Sequence, residues 1–318
     1  MAATKGAVVF QTRTFELIHY APQTETVHAT PLLIVPPVIN KYYILDIAPG
    51  RSLIEHLVQQ GQQVFAISWR NPHARHRDWG ADTYGAAILE LSTRCSASPE
   101  HERARPRHLL GRHSRRHGRR TPHRDRRGRP YRRPHPGRDR SRSDPRRNAS
   151  AMMSERAAAA AIRDSAAKGF LDGRTLAEMF AWLRPTDLVW RYWVNNYVQG
   201  RSPAAFDVLF WNSDTTRMAA ALHRDLVLLG LRNALTIPGA ATMLGTPVDL
   251  GTVTADSYVV GGSADHLCPW QSTYRSARLL GSKDARFVLS SNGHIASLVN
   301  PPGNPRASYR FGEPVSET

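Results

Sequence analysis

The chain has 318 residues, 41% of them apolar, which is enough for one large α/β domain or two modest ones with a substantial core. Its net charge of +17 suggests nucleic-acid binding, but 20 arginines and only five acids fall between Arg94 and Ser150, so the rest of the chain is close to neutral. Two cysteines, Cys95 and Cys268, are too few for a disulfide framework. There is also no basic-then-apolar leader and no apolar run of about 20 residues, so the expected setting is the cytoplasm without a membrane span.

Leu32-Leu33-Ile34-Val35 is a continuous apolar run stopped by Pro36-Pro37, and it predicts a strand buried on both faces. Ser52 then caps a helical spacing of Leu53, Ile54, Leu57 and Val58 that ends at Gly61. Val64 to Trp69 predicts the next strand, stopped by Asn71-Pro72. Strand, helix and strand at this spacing imply a parallel crossover. A further helix begins over Asp82 to Leu91.

The pattern then fails. From Arg94 to Ser150 the large apolar side chains are Leu109, Leu110 and Tyr131, among Arg, Pro, His, Gly and Ser without a period of 2 or 3.6. Such a segment buries too little apolar area to offset its chain entropy, and disorder is the expectation. Ser154 to Lys168 predicts an alanine-rich helix, with Gly173 soon after it. Leu176 to Tyr197 carries Phe180, Trp182, Trp190, Tyr192, Trp193 and Tyr197, which predict an α-helical cap packed on the main domain or lining an acyl pocket.

Two late strands, Tyr258-Val259-Val260 and Phe287-Val288-Leu289, each run into a polar turn. Asp265 lies in Gly261-Gly262-Ser263-Ala264-Asp265-His266, and His294 in Ser291-Asn292-Gly293-His294. Functional side chains of open α/β sheets collect at the carboxyl ends of strands. An acid followed by a histidine on successive late strands is the order of an α/β-hydrolase triad. There the imidazole takes the nucleophile's proton and the carboxylate fixes its tautomer. The bland alternative makes Asp265 a helix cap and His294 a local hydrogen-bonder. Cys268 and His266 flank Asp265, but two adjacent candidates without a second cluster do not make a metal site, and both read as structural filler. Cys95 is outside any Gly-x-Cys-x-Gly setting and reads as incidental.

Several stretches make the chain resemble the poly(3-hydroxyalkanoate) synthases. They are Tyr20 to His28, Pro36 to Asp46, Val64 to Pro72, Gly169 to Arg174, Asn195-Asn196-Tyr197, Trp211 to Arg217 and Gly293-His294-Ile295-Ala296. The resemblance implies an α/β-hydrolase fold: a mostly parallel sheet with flanking helices and an α-helical cap, here with its central elbow disrupted. It implies a Cys-His-Asp triad that polymerises (R)-3-hydroxyacyl-CoA into a growing polyester and releases CoA, without cofactor or metal. Asp265 and His294 fall on the acid and base positions. The family's N-terminal region is largely absent, so the chain looks shortened. A homodimer and a place at the polyester granule surface are compatible with the resemblance. The implied division is 1–93 as the first part of the hydrolase domain, 94–150 as the arginine-rich segment, 151–235 as the cap and 236–318 as the part carrying acid and base.

The family's cysteine sits in Gly-x-Cys-x-Gly-Gly, a sharp strand-to-helix turn whose small residues allow the bend and whose next amide serves an oxyanion hole. No such motif occurs in this chain, and the nucleophile is expected near Leu109. The abrupt edges and the Arg/Pro/His/Gly composition predict that Arg94 to about Ser150 is translated out of frame. Arg107-His108-Leu109-Leu110-Gly111-Arg112 can be encoded so that a one-base shift reads Gly-Ile-Cys-Ser-Gly-Gly. Arg129 to Pro136 likewise permits Asp-Arg-Ile-Ala-Ala-Leu-Thr-Leu, an apolar strand entry. On this reading the chain as written is an inactive acyltransferase.

Two other readings stand beside it. A thioesterase or esterase of the same fold would need its own elbow Ser or Cys. A binding protein for nucleic acid or an anionic surface would use the basic block through phosphate neutralisation. That block has only Tyr131 for base stacking, which disfavours nucleic acid as a partner.

Overall fold

The computed structural model describes residues 2–96, 154–183, 189–202, 207–301 and 304–313. The arginine-rich block and the position near Leu109 therefore lie outside the described residues.

The first sheet has the order β1-β2-β4-β3, with β1 at Gly6–Gln11, β2 at Phe15–Tyr20, β3 at Leu32–Ile34 and β4 at Val64–Trp69. β1, β2 and β4 pair antiparallel, with Phe15 opposite Trp69, whereas β3 runs parallel to β4 with Leu32 opposite Val64. The predicted crossover is present. Its helix α1, Leu53–Gln59, starts where the Ser52 side chain accepts from the Glu55 amide. Ile54 and Val58, four residues apart on one face, are fully buried against Ile18, Tyr20, Val64 and Ala66.

The other face of this sheet carries the larger core. Phe15, Leu17, Ile67 and Trp69 meet Tyr84, Ala87 and Leu91 of α2, Ala81–Ser96, together with Leu176, Met218 and Leu222. A buried polar anchor ties the N-terminus to the β3–α1 connection. Asp46, fully buried, accepts from the Thr4 amide and hydroxyl and from the Ser52 hydroxyl. A buried carboxylate survives only when its lone pairs are used in this way.

Helix α3, Glu155–Lys168, is capped by Ser154 and ends at Gly169. Gly169 has φ +85°, and a Cβ there would stand 2.9 Å from the Ala74 backbone. The helix expected over Ser154 to Lys168 is therefore present, and Gly173 opens α4, Gly173–Leu183. Helix α5 covers Asp207–Ser213 and α6 covers Ala220–Leu231. α3 packs on α6, where the Ser165 hydroxyl and His223 Nδ1 meet at 2.8 Å in the buried contact.

The second sheet has the order β5-β6-β7: β5 is Ser257–Gly262, β6 is Ala285–Ser290 and β7 is Tyr309–Gly312. β5 and β6 are parallel, with Ser257 opposite Ala285, and β7 closes antiparallel. Helix α7, Trp270–Ala277, crosses between them and packs on β5.

Two expectations need correction. Leu32 to Val35 is not a doubly buried strand, because β3 ends its sheet among the described residues and leaves Leu32 and Val35 exposed. The aromatic stretch does not pack away either: Trp182, Trp190, Trp193 and Tyr197 are exposed, the last by 81%. Aromatic richness at helical spacing creates an apolar face, but only a neighbouring element can cover it.

Candidate functional site

Backbone hydrogen bonds between two turns build the site. β5 and β6 end in register, Gly262 opposite Ser290. Beyond that point the Ser263 amide donates to Ser290 O at 2.8 Å and the Ala264 amide to Asn292 O at 3.3 Å, so the turns leave the sheet side by side. Gly262 is required for this approach, since a Cβ on it would lie 2.5 Å from Ser297 Oγ and 2.7 Å from Asn292 O.

Asp265 and His294 are brought together as the sequence leads one to expect. Asp265 Oδ2 lies 2.8 Å from His294 Nδ1. The other carboxylate oxygen accepts from the amides of Leu267, at 2.9 Å, and Cys268, at 2.8 Å. Both oxygens are therefore occupied and the carboxylate cannot rotate. The Asp265 side chain is 7% exposed and that of His294 is 37% exposed, so the acid is shielded while the ring stays open to solvent.

Cys268 is the residue that the sequence reading passed over. It is exposed, and its sulfur, an Asp265 oxygen and a His294 ring nitrogen all lie within 4.8 Å of one another. Filler is therefore the wrong description of Cys268. The sequence places it three positions after Asp265, but its meeting with His294 depends on the partner turn, 26 residues further on. His266, the other flanking candidate, is not one of the three.

These neighbours set the protonation states. The His294 imidazole is pushed up to about 9: its hydrogen bond with Cys268 is the largest cause, burial acts the other way, and Asp265 adds to the rise. Burial raises the Asp265 carboxyl, but the Cys268 amide, His294 and the Leu267 amide outweigh it and hold the group below its usual range. At neutral pH the pair is a carboxylate beside a mostly protonated ring.

The site is tied to the β3–α1 connection and to α5 through Ile295, which packs against Ile44, Ile47 and Trp211. Trp211 Nε1 donates to Lys41 O at 2.9 Å, and the Tyr43 hydroxyl donates to Asp214 Oδ2 at 2.6 Å. The Arg217 amide donates to Asn71 Oδ1. Ile39, Asn40, Gly173, Trp211 and Thr215 line one shared pocket. Five of the stretches that carried the resemblance, 36–46, 64–72, 169–174, 211–217 and 293–296, thus pack on one another. Cys95 lies in α2, and its side chain is outside the described part.

Parallel strands joined by helices, with an acid and a histidine paired at two strand ends, define an α/β-hydrolase-fold protein. A family model described as the alpha/beta hydrolase fold matches residues 154–301. A second, described as the poly-beta-hydroxybutyrate polymerase (PhaC) N-terminus, matches residues 1–57. Poly(3-hydroxyalkanoate) polymerase 2 of Ectopseudomonas oleovorans is 45% identical over 97% of this chain and 55% of its own length. Polymerase 1 of the same organism is 42% identical over 99% of this chain and 57% of its own. The poly(3-hydroxyalkanoate) polymerase subunit PhaC of Cupriavidus necator is 36% identical over all of this chain and 55% of its own. The chain is similar to the poly(3-hydroxyalkanoate) polymerases over nearly all of its own residues, and it spans about half the length of these relatives. Among the described residues no helix is long and apolar enough to cross a membrane.

Proposed function

We propose that this chain derives from an acyltransferase that polymerises (R)-3-hydroxyacyl-CoA into polyester, with Asp265 and His294 as its acid and base. The observation that carries the reading is the 2.8 Å contact between Asp265 Oδ2 and His294 Nδ1 at the ends of two parallel strands. In that role the carboxylate fixes the ring's tautomer and orientation and stabilises the imidazolium. In its neutral form, the minor one at neutral pH, the ring would take the proton of a thiol, whose thiolate attacks the thioester carbonyl and expels CoA thiolate. It would pass that proton to the departing CoA thiolate, then take the proton of a chain-end hydroxyl, which attacks the acyl-enzyme and lengthens the ester chain, and return it to the cysteine thiolate set free. The exposed cap aromatics suit an apolar acyl chain. The cytoplasm, the granule surface and a homodimer belong to the same reading, as does the division at 93, 150 and 235.

Cys268 does not supply the elbow. The residue after it is Pro269, which has no N–H, so the amide that should follow a nucleophile into the oxyanion hole is missing. The nucleophile of this reading lies instead in the out-of-frame block, so the chain as written is inactive and folds poorly. A thioesterase or esterase lacks an elbow equally, and binding through the block would show as salt-sensitive DNA retention lost on deleting Arg94 to Ser150.

The deciding comparison is CoA release from (R)-3-hydroxybutyryl-CoA by two purified proteins: the chain as written, and one expressed with codons 94 to 150 read one base over. The first should stay at background. The second should turn over, and lose that activity with His294→Ala. Steady release by the chain as written, or codons 107 to 112 that do not spell the elbow one base over, overturns the proposal.

A further inference from the structure

The clustering of Cys268 with Asp265 and His294 supports a second reading of the same turns, one that does not depend on their catalytic role. We propose that Asp265, Cys268 and His294 form a binding site for a borderline-soft divalent cation of the Zn²⁺ class, with water as the fourth ligand.

Three observations converge. The donors are a carboxylate oxygen, a sulfur and an imidazole nitrogen, a set that suits Zn²⁺ and not Mg²⁺ or Ca²⁺, which take oxygen ligands. All three atoms lie within 4.8 Å of one another. Zn²⁺ holds its ligands at about 2.0–2.3 Å in a tetrahedron, which places ligand atoms roughly 3.3–3.7 Å apart. The Asp265–His294 contact at 2.8 Å has to open slightly and the sulfur has to close by at most about an ångström, within the freedom of the exposed Cys268 side chain and the part-exposed ring.

The support around the donors is already built. The Asp265 oxygen facing away from His294 accepts the Leu267 and Cys268 amides, so the carboxylate is held and the cysteine backbone is fixed to it. Hydrogen bonds of this kind orient a ligand before the metal arrives. The two turns are locked together at Ser263 and Ala264, so carboxylate, thiol and ring are presented from a stiff pair of strand ends. Cys268 and the ring edge give the ion a path from solvent. Once bound, the ion occupies the imidazole nitrogen and the carboxylate together, so it blocks the ring from taking a proton.

The test uses the full chain and Co²⁺ as a coloured substitute for Zn²⁺. Titration should give a sulfur-to-cobalt charge-transfer band in the near ultraviolet, saturating at one ion per chain and displaced by Zn²⁺. Cys268→Ser should abolish the band and weaken Zn²⁺ binding, measured against a chromophoric chelator, by at least tenfold. Asp265→Asn should weaken it less and keep the band. Cys95→Ser, which removes the other thiol, should leave both unchanged. Zn²⁺ binding unaltered by Cys268→Ser, or a band that follows Cys95, overturns the proposal. Circular dichroism of each variant separates lost binding from lost folding. Because nothing in the test reads turnover, failure here leaves the polymerase reading intact, and failure of that reading leaves this one intact.

Discussion

The two sheets hold their parts by different means. In the first, four of the six positions of β2 and of β4 are buried, and Val64, Ala66 and Ile67 of β4, with Ile54 and Val58 of the helix α1 packed on the sheet, have no exposed surface. In the second, no strand is covered to that degree: β7 is exposed throughout, and Tyr258, Tyr309 and Phe311 face solvent. Yet the second sheet carries the ordered polar site. Packing needs neighbours on both faces, whereas the Asp265–His294 pair is set by two short turns whose backbone groups bond to each other. A site can therefore keep its local geometry on a thinly covered scaffold, and only its stability shows the lack of cover.

Core truncation breaks this contrast most strongly. Ile67→Ala should cost about 2–5 kcal/mol, as large-to-small changes in a closed core do, and should lower hydrogen-exchange protection across β2 and β4 together. Val259→Ala, at a half-buried position of β5, should cost about 1 kcal/mol and leave the first sheet's protection unchanged. Equal losses at both positions would mean that the two sheets share one core.

Gly262→Ala sharpens the contrast from the other side. Its methyl group meets Asn292 O and Ser297 Oγ, so the turns must part and the Asp265–His294 hydrogen bond must lengthen. The expected readout is a His294 titration that falls back toward the ordinary histidine range, with the protection of β2 and β4 untouched. An unchanged titration would show that the turns do not rely on that approach.

The smallest effect is the pH dependence. His294 titrates near 9 in the folded chain against about 6.5 unfolded, so the folded state binds the proton more tightly. Its stabilisation is complete below about 6.5 and is lost as pH rises through about 9. Asp265 has the opposite sign: its lowered carboxyl contributes above the unfolded value near 3.9 and loses that contribution as pH falls through the folded one. Ring-proton NMR from pH 5 to 10 follows the first, and Asp265→Asn should bring the His294 midpoint down.

Much of this was legible because it is local. The Ser52 cap, the β3–α1–β4 crossover and the acid–histidine order all follow from residues near one another in the chain. Tertiary contact decided what was missed. Leu32 to Val35 reads as buried from its apolar run, but burial requires a strand on each side. The stripe from Trp182 to Tyr197 reads as core packing because nothing in a helix period says whether a neighbour covers it. Cys268 looked inert beside Asp265, since the histidine that gives it significance arrives from another strand.

The strand order has one more consequence. Among the described residues β3 and β5 each stop a sheet with a row of backbone donors and acceptors on the outer side. β3 adds an exposed apolar side chain at Leu32, and Val35, just past its end, is exposed as well. Such a border accepts any extended peptide that offers a matching ladder, and at high concentration the nearest supply is the same border on another copy. The expected consequence is self-association that rises with concentration, which light scattering of the purified chain over a dilution series would follow.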